Sequence, residues 1–158
     1  MKESIKRGFG FGITSGIITT LGLMIGLYAA TNSRLAVLGG IITIAVADSL
    51  SDALGIHVSE EYAGKKHKEV WASTFSTFAF KFSTAAIFII ALFIFELKEA
   101  ILMNIRLGII LLAISSFIVA KNRKEKVLKT FLEHLGIAIV VLLATYFLGN
   151  WISTWGTI

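Results

Sequence analysis

The sequence predicts an all-α fold: one transmembrane domain of five membrane-spanning helices, N-terminus in the cytoplasm and C-terminus outside. Apolar residues make up 56% of the 158 residues, and mean hydropathy is +0.82. A soluble domain of this size cannot hide that much apolar surface. The apolar residues fall into five runs, about residues 9–30, 35–58, 70–95, 105–120 and 131–152. Most match the ~20 residues needed to cross a ~30 Å hydrocarbon core. The charged residues gather in the gaps between runs, and 1–158 leaves room for a single domain. A net charge of +5 would suggest a nucleic-acid partner in a soluble protein. Between apolar spans it fits the positive-inside rule better.

The first run follows Lys2, Lys6 and Arg7, as a signal peptide's would. It is nearer 20 residues than the 7–15 of a signal h-region, and no small-x-small site follows, so a retained span is expected. It is rich in glycine. Gly12/Gly16 and Gly22/Gly26 have the four-residue spacing that lets a second helix approach closely, within a subunit or across a dimer. The second run, residues 35–58, reads as a spanning helix except for Asp48 and Asp52. The third carries a single internal charge, Lys81. The fourth is short at 1.5 Å per residue and needs residues 100–104 to reach across. The fifth ends near Trp151 and Trp155, placed for the outer interface as Trp71 is for the inner one. Without proline, any helix break must come from glycine or polar residues. Without cysteine, disulfides and thiolate metal sites are excluded.

Orientation follows from the basic residues. Lys2, Lys6, Arg7, Lys65, Lys66, Lys68, Lys121, Arg123, Lys124, Lys126 and Lys129 fall on one side; Arg34, Lys98 and Arg106 fall on the other. That bias puts the first group in the cytoplasm. Short loops and the lack of an organelle-targeting segment predict a prokaryotic cytoplasmic membrane.

An ionisable side chain in bilayer costs about 2.5–3.5 kcal/mol on insertion scales. Asp48 and Asp52, four residues apart, share a helix face and form with Ser51, Gly55 and Ser59 a stripe at three-to-four-residue spacing. Two carboxylates and a hydroxyl are hard oxygen ligands, suited to magnesium, calcium, manganese or ferrous iron, and they also suit a proton relay. The structural alternative is a buried Asp48–Lys81 pair, since both lie about ten residues from the cytoplasmic side. One lysine neutralises only one carboxylate. Glu60, Glu61, His67 and Glu69 in the second loop, with Glu133 and His134 at the start of span five, are placed to gather cations or simply to be solvated. His57 reads as interfacial. Hydroxyls such as Ser15, Thr19, Ser76, Thr77, Ser83 and Thr84 matter only if they face the aspartates. No nucleophile-and-base pattern or phosphate loop is visible, so an enzyme is not expected.

The run Gly12-Ile-Thr-Ser-Gly-Ile-Ile-Thr-Thr-Leu-Gly-Leu-Met-Ile-Gly26 resembles the first helix of the vacuolar iron transporter family, with its pattern G-x-x-D-G-x-x-T-T-x-G-x-x-x-G. Ala47-Asp-Ser-Leu-Ser-Asp-Ala-Leu-Gly55, with Ser59, is similar to that family's second-helix A-G-A-x-S-M-x-x-G-E-Y-x-S, and Ala144-Thr-Tyr-Phe-Leu-Gly149 to its closing A-x-T-Y-x-x-G. The resemblance covers spans one and two well, span five partly, and spans three and four hardly at all. It implies a homodimer in the lipid bilayer that moves ferrous iron or manganese out of the cytoplasm against protons, along the first two helices. The departures are specific. The family's helix-one aspartate is Ser15 here, its methionine is Asp52, its glutamate is Ile56, and Asp48 replaces a small residue. The family's cytoplasmic metal-gathering helices are reduced to about a dozen residues. On this basis Asp48 and Asp52 are the expected ion ligands, Ser15 and Ser51 weaker ones, Glu60 and Glu61 collectors at the mouth, and Lys81 the counter-charge. The alternatives are a non-transporting scaffold or regulatory subunit with a structural Asp48–Lys81 pair, or a carrier of monovalent cations or protons.

Overall fold

The computed structural model describes residues 2–157. Its five helices are α1 (Lys2–Thr31), α2 (Arg34–Tyr62), α3 (His67–Ile94), α4 (Leu97–Arg123) and α5 (Val127–Ser153), closed by a 3₁₀ turn (Thr154–Thr157). All five are long and apolar enough to cross a membrane. Many outward-facing side chains are large and apolar, as on Leu50, Leu54, Ile90, Phe93, Val140 and Phe147. Such surfaces belong to an integral membrane protein.

The helices outrun the apolar spans, and the connections shrink accordingly. Residues 95–96, 63–66 and 124–126 are all that separate α3 from α4, α2 from α3 and α4 from α5. The fourth span, expected at residues 105–120, becomes the 27-residue α4. Hydropathy cut it short because of Lys98, Glu99 and Asn104. Asn104 is fully buried; its amide Nδ2 donates to the Phe88 carbonyl at 2.9 Å, while its Oδ1 takes no hydrogen bond among the described residues. The turns close without proline. Asn32, Gly64 and Lys124 take left-handed backbone at φ 45°, 67° and 57°, a conformation that asparagine and glycine adopt most readily. Ser33 caps α2 by accepting the Ala36 N–H. Arg34 donates to the Leu92 and Phe95 carbonyls at 2.6 and 2.8 Å, tying the start of α2 to the end of α3.

Helix α1 is the axis: it packs against all four other helices, while α2 packs on α1 and α3, and α5 on α1 and α4. Its glycines make this possible. A Cβ on Gly12 would sit 2.8 Å from the Thr77 carbonyl, and one on Gly16 would sit 3.2 Å from the Lys81 carbonyl. A Cβ on Gly22 would sit 2.7 Å from Val141, and Gly26 faces Thr145 at 3.4 Å. One small-residue pair therefore seats α3 and the other seats α5. Of the two uses open to these glycines, this is the one within the chain.

The α1 N-terminus and the α2–α3 and α4–α5 connections share one end of the bundle, which is basic. From the middle of the bundle to the opposite end, Ile17, Leu21, Met24, Ile25, Val37, Ile41, Phe88 and Leu92 form an apolar core.

Candidate functional site

Midway along the bundle, α1, α2 and α3 each bring one polar turn to the same point. The Lys81 ammonium lies 2.6 Å from Asp48 Oδ2 and also ion-pairs with Asp52 Oδ2. Lys81 is 2% exposed, whereas the aspartate side chains keep 28% and 25% of their surface exposed. Ser15 completes the group: Lys81 Nζ donates to its Oγ at 3.0 Å, and its hydroxyl donates to Asp52 Oδ2 at 2.9 Å. Gly12 and Gly16, on either side of Ser15, let α3 approach closely enough for Lys81 to reach it.

The two carboxylates are not equivalent. Asp52 has an ion pair and hydrogen bonds to both Lys81 and Ser15. Asp48 has an ion pair only, and its buried Oδ2 takes no hydrogen bond among the described residues. The pair expected from depth alone, Asp48–Lys81, is thus half of a triad. With one ammonium against two carboxylates, the triad carries one uncompensated negative charge when all three groups are ionised.

The expected second-helix stripe divides. Ser51, Gly55 and Ser59 are exposed, while Asp52, Ile56 and Glu60 turn inward. Ser51 sits about 100° around the helix from Asp52, too far to share its partners. Ser15, judged the equal of Ser51 from sequence, is the hydroxyl at the triad. Two further buried hydroxyls, Ser49 Oγ on α2 and Thr77 Oγ1 on α3, have no hydrogen-bond partner among the described residues. Sequence gave no reason to single out Ser49. Thr77 and Ser83 looked alike there, yet only Thr77 is buried.

Glu60 and Glu61, expected to gather cations together, are already engaged apart. Glu60 is nearly buried and accepts from Arg7 at 2.8 Å, and exposed Glu61 lies 3.4 Å from His57 Nε2. Glu60 is also eight residues from Asp52, about 12 Å along the helix. His57 Nδ1 is 2.9 Å from Thr74 Oγ1. His67 accepts from the Trp71 indole at 3.0 Å, and Glu69 lies in the first turn of α3. Glu133 pairs loosely with Lys129 at 3.8 Å, while His134 Nδ1 meets Ser116 Oγ at 2.8 Å. Among the described residues, no three His, Cys, Asp or Glu side chains converge as a metal-binding group.

A crevice of about 730 Å³ opens at the basic end and runs inward to Ser15, Ile18 and Thr19 of α1. Helix α1 is its floor, Ile56 and Glu60 of α2 form one wall, and Val119 of α4 with His134 of α5 form the other. Ser15 therefore touches both the crevice and the triad. Sequence could not reveal this space, because it lies between helices that do not follow one another in the chain.

No protein-family model, curated protein or solved structure matches this chain.

Proposed function

We propose that this protein is a membrane transporter of divalent metal cations, ferrous iron or manganese, that moves them out of the cytoplasm in a proton-coupled cycle. The single observation that carries this is Lys81 shared between Asp48 and Asp52 at mid-bundle. An ammonium on a flexible stem is a tethered substitute for a mobile cation. A proton on either carboxylate neutralises the triad with Lys81 in place. A divalent cation neutralises both carboxylates and leaves the site neutral when Lys81 gives up its proton, so that two protons exchange for one divalent cation. The site can therefore alternate between two neutral states, which lowers the cost of charge in a bilayer. Oxygen ligands without sulfur favour hard cations. The choice of iron and manganese, the homodimer and the outward direction come from the resemblance to the vacuolar iron transporter family. The basic end is taken as cytoplasmic on the positive-inside bias. On this reading the protein is a carrier, not an enzyme.

A second reading is favoured by the near-complete enclosure of Lys81. A static triad would lock α1, α2 and α3 together in a scaffold or regulatory subunit without transport. Flux in proteoliposomes separates the two, comparing ferrous iron, manganese, calcium and magnesium across a pH gradient. Iron or manganese flux that disappears in Asp48→Asn/Asp52→Asn/Lys81→Met supports the carrier. Silence for all four from folded protein supports the scaffold.

A further inference from the structure

The crevice has a mouth whose charge is wrong for collecting cations. Lys6, Arg7 and Arg123 line it against Glu3 and Glu60, and Arg7 already satisfies Glu60. Deeper in, Phe11 and Ile18 from α1, Ile56 from α2 and Val119 from α4 form an apolar wall, interrupted by the hydroxyls of Thr14, Ser15 and Thr19 and by His134. Among the described residues α2 does not pack substantially on α4 or α5, and the crevice occupies the gap between them over α1.

We propose that this crevice binds an acidic phospholipid, its phosphate held at Lys6, Arg7 and Arg123 and one acyl chain lying along the apolar wall. Charge complementarity selects the occupant: a basic rim above an apolar trough, at the end of the bundle where lipid headgroups sit. The volume lies within the range of ordinary ligand cavities, about 300–1,000 Å³. The pairs that now occupy two of these cations, Lys6–Glu3 at 3.0 Å and Arg123–Glu125 at 3.2 Å, involve largely exposed basic side chains. Such pairs hold weakly and exchange readily for a phosphate. The bound chain would lie over Ser15 and cover the triad from that side. This site does not depend on the transport assignment.

The test uses the full chain in neutral detergent, with binding counted by native mass spectrometry and thermal unfolding recorded without lipid as a control. Phosphatidylglycerol is compared with phosphatidylcholine of the same chains and with glycerol phosphate. Phosphatidylglycerol should bind more tightly than phosphatidylcholine. Lys6→Gln/Arg123→Gln should weaken it roughly thirtyfold, from about 1 kcal/mol per basic residue. Gly10→Leu, which fills the trough beside Val119, should weaken it with every charge intact. The Lys6/Arg123 variant alters only exposed groups, so it remains decisive if Gly10→Leu does not fold. Equal binding of the two lipids, full affinity in the Lys6/Arg123 variant, or displacement by equimolar glycerol phosphate would overturn the proposal. So would a dimer that binds no lipid, which would give the crevice to a second copy.

Discussion

Toward the far end of the bundle, Met24, Val37, Ile41, Phe88 and Leu92 meet in a core of side chains that ask only for volume. Toward the basic end, these helices together with α4 bury Ser4, Ser73, Ser76, Thr77, Ser115, Ser116 and Glu60, and the Lys81 triad lies between the two regions. A single glycine-lined helix, α1, runs through both. Packing that must only hold can be closed with apolar residues. Packing that leaves the Thr77 hydroxyl without a partner, one ammonium shared by two carboxylates and an open crevice retains unfavourable features that a passive bundle would shed; among the described residues the far half retains a single one, the unpartnered Oδ1 of Asn104. On the proposed reading, transport belongs to the triad and the basic half, and the far half mainly holds the bundle together.

The strongest way to break the contrast is to unbalance the triad. Lys81→Met alone leaves two half-buried carboxylates without their cation and should cost about 2–3 kcal/mol, less than a fully buried pair because both keep about a quarter of their surface exposed. Restoring neutrality with Asp48→Asn and Asp52→Asn should recover most of it, as read by thermal unfolding in detergent. A wild-type melting temperature for the single variant would mean that the triad holds nothing in place. In the far half, Phe88→Ala should cost about 3 kcal/mol, the lower end for such a cavity, because lipid supplies no hydrophobic term. Its flux per folded molecule should be unchanged. Lost flux at full stability would erase the division between the halves.

Gly12→Leu tests the helix that joins them. Its first side-chain carbon would collide with the Thr77 carbonyl, and the expected loss is about 1–3 kcal/mol. The smallest effect separates the two aspartates. Asp52→Leu should cost about 1 kcal/mol more than Asp48→Leu, because only Asp52 holds a hydrogen bond from Ser15. Equal losses would show that the Ser15 contact contributes nothing.

Much of the scaffold was legible from hydropathy, since five apolar runs leave little choice of architecture. The shortened fourth span was not, because hydropathy counts Asn104 against a span, whereas its amide N–H reaches the Phe88 carbonyl inside the bundle. Equal depth along two helices was enough to bring Asp48 and Lys81 together. It could not show that Asp52 shares the same ammonium, that Ser15 rather than Ser51 faces it, or that Arg7 takes Glu60 from 53 residues away. Those depend on how the helices are rotated and which ones touch, and a rotation of one residue moves a side chain by about 100°. The lipid-facing sides of the helices are as apolar as the core, so periodicity carried little of that information.

The most direct test of the exchange site is metal flux into proteoliposomes by the wild-type chain and by the charge-neutral variant Lys81→Met/Asp48→Asn/Asp52→Asn, each first shown to be folded. The account predicts ferrous iron or manganese flux in the wild type and none in the variant. Undiminished flux in the folded variant would contradict it, because the cation would then cross without the triad.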